Sequence, residues 1–306
     1  MPILAVGSIA LDTIETPSGR IADALGGSVI YFSCAASLFT EVQLVGVVGE
    51  DFPREHLTFM QSRRIDSSGI ETLPGRTFRW HGRYHQDINT RDTVAVQLNV
   101  FGEFEPTIPE RFRDTEYVFL ANGRPALQQK VLDQVRRPKF VMADTMNLYI
   151  QNERADLDAL LKRVDGLLVN DEEARLLSGE TNLMAAGRRI AEMGPKVVVI
   201  KKGEHGALIF AGGECAALPA YPTERVLDPT GAGDSFAGAF MGYIAQDGSV
   251  SRNDLRRWND AFLKAAAYGT VVASFTVEAF GLGALEGVTP KTLNDRLDDF
   301  RRKLRV

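Results

Sequence analysis

The stretch LDPTGAGDSFAGAFMGY, residues 227–243, is the most informative part of the sequence. Small residues at positions 231–233 immediately precede a predicted helix whose apolar face carries Phe236, Phe240, Met241 and Ile244. The first N–H groups of a helix have no intrahelical acceptor and, together with the helix dipole, they attract an anion. Because the small residues leave room for close approach, this stretch predicts an anion site of the kind that holds a phosphate.

Asp234 lies at the mouth of this predicted anion site. An acidic residue at a helix N-terminus is also a favoured cap, so Asp234 alone would indicate only capping. Beside the glycines, however, its carboxylate can accept the proton of an attacking hydroxyl while the N–H groups neutralise phosphoryl oxygens. Phosphoryl transfer depends chiefly on such positioning and charge neutralisation. The stretch therefore favours a phosphotransferase with Asp234 as general base.

Short apolar runs alternate with longer amphipathic stretches over most of the chain. Runs without polar alternation are typical of strands buried on both faces, so we expect a three-layer α/β/α fold with a mostly parallel central sheet. The predicted strands are Ile3–Val6, Val42–Val48, Tyr117–Leu120, Phe140–Ala143, Gly166–Val169 and Lys196–Ile200. The predicted helices are Ser28–Phe39, Arg54–Arg64, Pro125–Val135, Arg154–Val164, Asp171–Leu177, Asn182–Met193 and Pro290–Arg305.

Residues 75–104 depart from this alternation of strands and helices. Polar and apolar residues alternate there on either side of turn-type residues. The pattern predicts antiparallel strands with one solvated face, and such an insertion commonly forms a flap over a site. A hairpin without a function is the alternative. With parts of residues 12–24 this segment would form a small β lid. Since no repeat or linker interrupts the sequence, we expect residues 1–306 to form a single domain.

The composition argues against several classes of partner and site. The formal net charge is −5, so no overall positive field favours nucleic acid or an acidic membrane surface. The two cysteines have no CxxC spacing and the four histidines no HExxH pattern, so neither a disulfide framework nor a zinc site is predicted. No apolar run reaches the ~18 residues of a membrane span, and no P-loop occurs. We expect a cytoplasmic protein that acts on a small molecule.

The run DPTGAGDSF, residues 228–236, resembles the C-terminal signature of the ribokinase-like, or PfkB, carbohydrate kinase family. The resemblance implies a ribokinase-like fold and ATP-dependent transfer to an alcohol group. It also implies that Asp234 is the base and that the backbone of Gly231, Ala232 and Gly233 forms the anion hole. Where family members bind a monovalent cation such as K⁺, it lies near positions that correspond here to Asp228 and Thr230.

Two further stretches are similar to elements of the same family. The stretch NDEE, residues 170–173, resembles the family's NxxE element, which implies that Asn170 and Glu173 organise water around Mg²⁺. From the residues alone, it is equally a helix N-cap with acidic first-turn residues. The stretch KKGEHG, residues 201–206, resembles the turn at the nucleotide, with Lys201 as a phosphate contact and Gly203 and Gly206 in the turn. A lysine at a strand end is also ordinary surface chemistry.

Asp12 and the pair Gly26-Gly27 resemble the acceptor-binding half of the family. A carboxylate can hold two sugar hydroxyls at once, and the glycines allow the backbone to contact the acceptor. The sequence departs from the family after this pair, because residues 28–31 read SVIY where the family usually has Asn. The identity of the acceptor therefore stays open. The stretch DTMN, residues 144–147, resembles a family strand end only loosely and receives no role.

Two kinds of acceptor fit the sequence. The leading hypothesis is a sugar or a sugar-like polyol, and the alternative is a nucleoside, whose base would need a floor such as Trp80, Tyr84 or Tyr31. A non-catalytic regulatory protein on the same scaffold is disfavoured, since it would leave no reason for Asp234, the anion hole and Glu173 to occur together. Lids of this kind pair between subunits in similar proteins, which implies a homodimer.

Overall fold

A computed structural model of the protein describes residues 1–255, 258 and 260–304. Its strands are β1 (Ile3–Val6), β2 (Ala10–Thr16), β3 (Gly19–Gly26), β4 (Val42–Gly49), β5 (Ile65–Leu73), β6 (Phe78–Tyr84), β7 (Arg91–Gln97), β8 (Tyr117–Leu120), β9 (Phe140–Asp144), β10 (Gly166–Asn170), β11 (Val197–Lys201), β12 (Ala207–Ala211) and β13 (Glu214–Leu218). Its α-helices are α1 (Ser28–Ala36), α2 (Arg54–Ser62), α3 (Pro125–Leu132), α4 (Asn147–Asn152), α5 (Arg154–Leu161), α6 (Asp171–Ser178), α7 (Leu183–Met193), α8 (Ala232–Asp247), α9 (Asp260–Thr276), α10 (Gly283–Glu286) and α11 (Pro290–Lys303).

The central sheet has the strand order β13-β12-β11-β10-β9-β8-β1-β4-β5 in the described residues. The strands from β11 to β5 pair in parallel, and β12 and β13 form an antiparallel hairpin at one edge. The prediction of a mostly parallel central sheet is therefore confirmed. Parallel strands place their carboxyl ends at one edge of the sheet, where open α/β sheets bind ligands.

Alternate residues of the central strands are buried on opposite faces of the sheet. In β1, Ile3 and Ala5 pack into a core with residues of α1, α8, α9 and α11, while Leu4 and Val6 pack into a second core with residues of α3, α5, α6 and α7. Burial on both faces explains why the strand runs in the sequence show no polar alternation. The three predicted layers are thus helices, sheet and helices.

A second sheet with the order β3-β2-β6-β7 forms the lid, which we define as residues 10–26 and 78–97. The hairpins β2-β3 and β6-β7 are antiparallel, and β2 and β6 pair in parallel. One solvated face was expected, but all seven residues of β7 are exposed. β7 is an edge strand and its inner face borders a cleft rather than a core, so neither of its faces is covered.

Most element ends lie within three residues of the predicted ones. α1 ends at Ala36 and not at Phe39, and α2 ends before Arg64, whose φ of 58° is outside the helical region. The predicted end of the last helix, Arg305, lies outside the described residues. Sequence reasoning did not identify β5 or the hairpin β12-β13. The edge strands β5 and β13 carry mixed polar and apolar residues, whereas β12 is a short apolar run that was overlooked. No helix in the described ranges is both long and apolar enough to cross a membrane.

Candidate active site

The N-terminus of α8 forms the centre of the site. Gly231 is the N-cap residue, with a left-handed φ of 73°, and α8 begins at Ala232. The sequence placed Ala232 and Gly233 before the helix, and this was wrong, because the left-handed turn at Gly231 leads directly into the first helical turn. In the described part of the chain, no acceptor takes the N–H groups of Gly233 and Asp234. Two unpaired donors therefore remain available to an anion, as predicted for an anion hole.

The ring of Tyr31 in α1 packs against the turn at Gly231. A Cβ atom on Gly231 would lie 2.3 Å from the Tyr31 ring, so only glycine fits at this position. Tyr31 is 1% exposed, and burial raises the pKa of its hydroxyl well above the usual value. The proposal that Tyr31 forms a floor for a base is therefore wrong, because its ring belongs to the core beneath the turn.

Asp234 stands in the first turn of α8 in a largely desolvated environment. Its pKa is raised to about 7, mainly by burial and also by the nearby carboxylate of Asp144, while Lys201 acts in the opposite direction. The charge of Asp12 also raises the pKa of Asp234. The fold therefore brings together two carboxylates that are far apart in the sequence. A carboxyl group with a pKa near neutrality is suited to accept and release a proton.

Asp12 of β2 is 4% exposed and contacts the Gly26-Gly27 pair. Its Oδ2 accepts a hydrogen bond from the Gly27 N–H group at 3.3 Å, and a Cβ atom on Gly26 would lie 2.0 Å from the same oxygen. Burial raises the pKa of Asp12 to about 7. Its Oδ1 is buried without a partner among the described residues. Buried polar atoms are almost always paired, so this oxygen is available to a ligand.

Other buried polar atoms at the carboxyl edge of the sheet also lack partners within the described ranges. They are Asn122 Oδ1, Thr145 Oγ1, Asn147 Oδ1 and Ser235 Oγ. These side chains follow β8 and β9 or start α8. Because unpaired buried polar groups are costly, their concentration at one edge indicates a ligand-binding region.

Lys201 ends β11 and forms a buried ion pair that the sequence did not reveal. Its Nζ donates a hydrogen bond to Asp144 Oδ2 at 3.2 Å. A Cβ atom on Gly233 would lie 3.2 Å from this ammonium, so Lys201 adjoins the anion-hole backbone. Although burial alone lowers the pKa of Lys201, the carboxylates of Asp144, Glu173 and Asp234 raise it above its usual value. A polar residue at a strand's carboxyl end was the available signal for Asp144.

Asn170 and Glu173 form a complete capping box at the start of α6. Asn170 Oδ1 accepts from the Glu173 N–H group at 2.8 Å, and Glu173 Oε2 accepts from the Asn170 N–H group at 2.7 Å. The capping interpretation therefore holds, and it leaves the second carboxylate oxygen of Glu173 free of the cap. Burial and the charge of Asp144 raise the pKa of Glu173 to about 7. No cluster of three or more His, Cys, Asp or Glu side chains suited to a metal ion occurs among the residues described.

Asp228 is fully buried beside the same turn. Its two carboxylate oxygens accept backbone hydrogen bonds from Thr230 at 2.8 Å and from Gly281 at 2.9 Å. The Thr230 hydroxyl donates to the Tyr84 hydroxyl of the lid at 3.0 Å. Burial raises the pKa of Asp228. Tyr84 therefore ties the lid to the anion-hole turn and is 7% exposed, so it does not offer an open ring face to a base.

A cavity of about 650 Å³ extends from the anion hole towards the turn at residues 203–206. Lys201, Gly203, Gly206 and Gly233 line it. Gly203 and Gly206 have φ values of 54° and 85°, so both turn positions use the conformation that glycine allows. The lid tip reaches this cavity, because Asn89 Nδ2 donates to Glu204 Oε1 at 3.2 Å. The residues predicted to bind the nucleotide thus line a single cavity, which extends to the N-terminus of α8.

A second cavity, of about 340 Å³, lies at the carboxyl ends of β1 and β8. Its lining is mainly apolar and includes Leu98, Phe101, Leu127, Leu148 and Tyr149. Gly7 also lines it, one residue before Ser8, whose hydroxyl pairs with Ser28 at the start of α1.

In the lid, register pairing places Asp12, Trp80 and Val96 side by side on three adjacent strands. Directly opposed residues share one face of a sheet, so Trp80 and Val96 extend the Asp12 face of the lid. Leu98, two residues beyond Val96, lines the smaller cavity. Val96 and Leu98 are each 51% exposed. This face of the lid therefore combines a carboxylate with apolar side chains.

Comparisons with known proteins agree with this fold. The sequence model of the family described as pfkB family carbohydrate kinase matches residues 26–286. A cytidine kinase of Thermococcus kodakarensis is 31% identical over 277 residues, which cover 85% of this chain and 98% of that protein. A 2-dehydro-3-deoxygluconokinase of Thermoproteus tenax is 35% identical over 278 residues, which cover 79% of this chain and 78% of that protein. The crystal structure of Methanocaldococcus jannaschii nucleoside kinase, an archaeal member of the ribokinase family, has a TM-score of 0.75 at 21% identity and covers 97% of this chain and 98% of its own.

Proposed function

The chain belongs to the pfkB family of carbohydrate kinases and has a ribokinase-like fold, and on that premise we propose that it transfers the γ-phosphoryl group of ATP to a hydroxyl group of a nucleoside. The apolar cavity at the carboxyl ends of β1 and β8 is the observation that carries the choice of a nucleoside. A free sugar offers hydroxyl groups on every side, whereas a nucleoside presents a polar ribose to Asp12 and a flat, largely apolar base to the walls.

In the proposed reaction, the Oδ1 atom of Asp12 and the Gly26-Gly27 backbone hold ribose hydroxyl groups. Asp234 accepts the proton of the attacking hydroxyl as its oxygen forms a bond to the γ-phosphorus. The bond between that phosphorus and the bridging oxygen of ADP breaks, and ADP leaves. The N–H groups of Gly233 and Asp234 and the ammonium of Lys201 neutralise charge on the phosphoryl oxygens. Asp234 then releases its proton to solvent.

The residues at α6 fit a magnesium ion that is held through water and the phosphates, and not by a protein cage. Glu173 keeps one carboxylate oxygen outside its capping box, near Lys201. Mg²⁺ usually retains several waters and is bound through one or two carboxylates plus substrate phosphates. When bound, it would offset the charge of the phosphates. We assign Asn170 to the cap and Glu173 to the water shell.

Asp228 and Thr230 fit a monovalent cation less completely. No described Lys or Arg side chain pairs with the buried Asp228, which favours a cation nearby. Its oxygens already accept two backbone hydrogen bonds, and the Thr230 hydroxyl is bound to Tyr84. We propose that K⁺ binds next to Asp228 through backbone oxygens. We further propose that residues 1–306 act as one kinase domain, and that exposed strand β7 offers the edge for pairing of two lids.

The experiment is an ADP-release assay with Mg-ATP on cytidine, uridine, adenosine, inosine, ribose, fructose and 2-dehydro-3-deoxygluconate. Burying about 100 Å² of a base contributes about 2.5 kcal/mol, which corresponds to about 70-fold in kcat/KM. We therefore expect one nucleoside to exceed ribose by about that factor or more. A sugar or sugar acid that is turned over better than every nucleoside would contradict the nucleoside assignment and leave the kinase assignment intact.

Substitutions of residues that line the apolar cavity test the nucleoside assignment further. Leu98→Ala and Leu148→Ala remove exposed apolar surface from the cavity, since each side chain is 51% exposed. We expect each to lower kcat/KM for the preferred nucleoside about three- to tenfold and to leave ribose turnover unchanged. Leu176→Ala is the matched control, because Leu176 is also an exposed leucine, on α6, and does not line the cavity.

A further inference from the structure

Arg91 begins β7 and lies directly opposite Tyr84 of β6 in the antiparallel pairing. Opposed residues share a face of the sheet, so the two side chains leave the lid on the same side. Tyr84 reaches the Thr230 hydroxyl, one residue before the anion hole. The side chain of Arg91 therefore starts from the lid face that is docked on the anion-hole turn.

The guanidinium group of Arg91 extends along this face towards the acceptor side. Its Cζ atom lies 5.4 Å from the centroid of the Trp80 ring, and Trp80 pairs with Asp12 in the neighbouring strand. The Trp80 ring itself covers Gly82, since a Cβ atom on that glycine would lie 1.9 Å from the ring. On this face of the lid, the guanidinium group therefore lies between Tyr84, which contacts the anion-hole turn, and Asp12, which we propose to bind the acceptor. In the proposed reaction the phosphoryl group moves from the anion hole to the acceptor, and so passes between the same two residues.

The charge of Arg91 is not used by another carboxylate in the described residues. The arginines of the neighbouring strand β6 are paired, Arg79 with Asp23 and Asp51, and Arg83 with Glu15. Arg91 meets only the Trp80 ring and the Tyr84 hydroxyl. Its charge also reaches Asp234, whose pKa it lowers against the larger effect of burial. A cation near the base and without a partner carboxylate is available to an anionic substrate.

We propose that Arg91 is a catalytic residue of the lid that donates hydrogen bonds to the γ-phosphoryl oxygens during transfer. The inference rests on the proposed kinase reaction and adds a second cation to Lys201. A planar guanidinium can donate two parallel hydrogen bonds to phosphoryl oxygens. Arg91 forms and breaks no covalent bond, because the proton still passes to Asp234 and ADP still leaves. Closure of the lid would bring this charge to the reacting atoms and exclude water at once.

The test compares Arg91→Ala and Arg91→Lys with Arg83→Ala. Arg83 is the matched control because it is the next residue along β6 from Tyr84, points to the opposite face and pairs with Glu15. We expect Arg91→Ala to lower kcat about 10²- to 10³-fold with the KM for the acceptor within about threefold. Arg91→Lys should recover part of the loss, and added guanidinium should partly restore Arg91→Ala. Arg83→Ala should stay within about twofold of the unmodified protein.

The outcomes separate this inference from the proposed function. If the unmodified protein phosphorylates a sugar and no nucleoside, the nucleoside assignment fails and the same variants are measured with that sugar. If Arg91→Ala keeps kcat within about threefold, or raises only the acceptor KM, Arg91 merely packs on Trp80 and the inference is wrong. Circular dichroism and thermal unfolding of each variant check folding, and Arg91→Lys retains the charge if Arg91→Ala is unstable.

Discussion

The carboxyl group of Asp234, at the N-terminus of α8, lies where its ionised form is poorly solvated. Burial is the main cause of its raised pKa of about 7, with a further contribution from Asp144. The proposed reaction needs the ionised form, whereas the folded state favours the protonated form. Function and stability therefore make opposite demands on this one side chain, as is common at catalytic residues.

This conflict predicts that Asp234→Asn stabilises the protein at high pH. Because the pKa is raised on folding, the folded state binds the proton more tightly than the unfolded state, and stability falls as pH rises from about 4 through 7. Asn cannot ionise, so the variant should gain about 1 to 3 kcal/mol at pH 8, and the gain should shrink as pH falls towards 4. Urea unfolding at both pH values measures it. Equal stability at pH 8 would show that the carboxylate is well solvated.

Single residues differed in how far the sequence revealed them. Asp234 was proposed because it follows glycines in the sequence, and Asp12 was proposed from its position after the first strand and from the family resemblance. Asp144 was missed because its partner Lys201 lies two strands away, on the far side of β10. Arg91 was missed for another reason. A register shift between His81 and Gly82 sets which β7 residues face the site, and alternation in the sequence does not show a bulge.

At the scale of elements, the turn before α8 is the most constrained piece of backbone in the site. Gly231 has a φ of 73°, and the Tyr31 ring occupies the space that a Cβ atom on this residue would need. At Gly233, by contrast, the nearest atom to a built Cβ is Nζ of Lys201 at 3.2 Å, the end of a flexible side chain. The two glycines are therefore required for different reasons, one for folding and one for access to the anion hole.

We expect Gly231→Ala to destabilise the protein by about 2 to 4 kcal/mol, from left-handed backbone strain and overpacking against Tyr31. Gly233→Ala is the matched control. It should change the unfolding free energy by less than about 1 kcal/mol and lower turnover, because its methyl group crowds the phosphoryl site. Urea unfolding and kinetics on both variants measure these effects. A Gly231→Ala protein as stable as the unmodified one would mean that the turn tolerates a side chain.

Elements of the central sheet were easier to predict than those of the lid. Strands buried on both faces, such as β1 and β8, have short apolar runs that are visible without any partner. The parallel pairing of β2 with β6 joins segments more than 60 residues apart, and nothing local in either strand indicates it. The prediction of a lid was therefore right about its segments and silent about how they pair.

At the scale of the whole molecule, the site is assembled from distant parts of the chain. Asp12 comes from the lid, Asp144 and Lys201 from the carboxyl edge of the central sheet, and Asp234 from a helix that follows the sheet. The larger cavity reaches Gly233 of the proposed anion hole, and the apolar cavity lies at the carboxyl ends of β1 and β8. We propose that the larger cavity holds the nucleotide and the apolar cavity the base of the acceptor.

The fold class followed from the alternation of strands and helices, and the proposal of Asp234 as the base came from one glycine-rich run. The proposed acceptor cavity could not be predicted in the same way, because Leu98, Phe101 and Leu148, which line it, are separated in sequence and have no motif. Tyr31 shows the same limit, since its sequence position suited a base contact but its ring is buried beneath Gly231. Side chains that meet only through tertiary packing remain invisible to local patterns.

The role of Asp234 as general base can be tested by measuring the turnover of Asp234→Asn with Mg-ATP and the preferred acceptor, together with its affinity for ATP. If Asp234 is the general base, kcat should fall by about 10²- to 10⁴-fold while the Kd for ATP changes by less than about threefold. Turnover within about threefold of the unmodified protein would contradict the account, because the proton of the acceptor would then have to leave by a route that does not include Asp234.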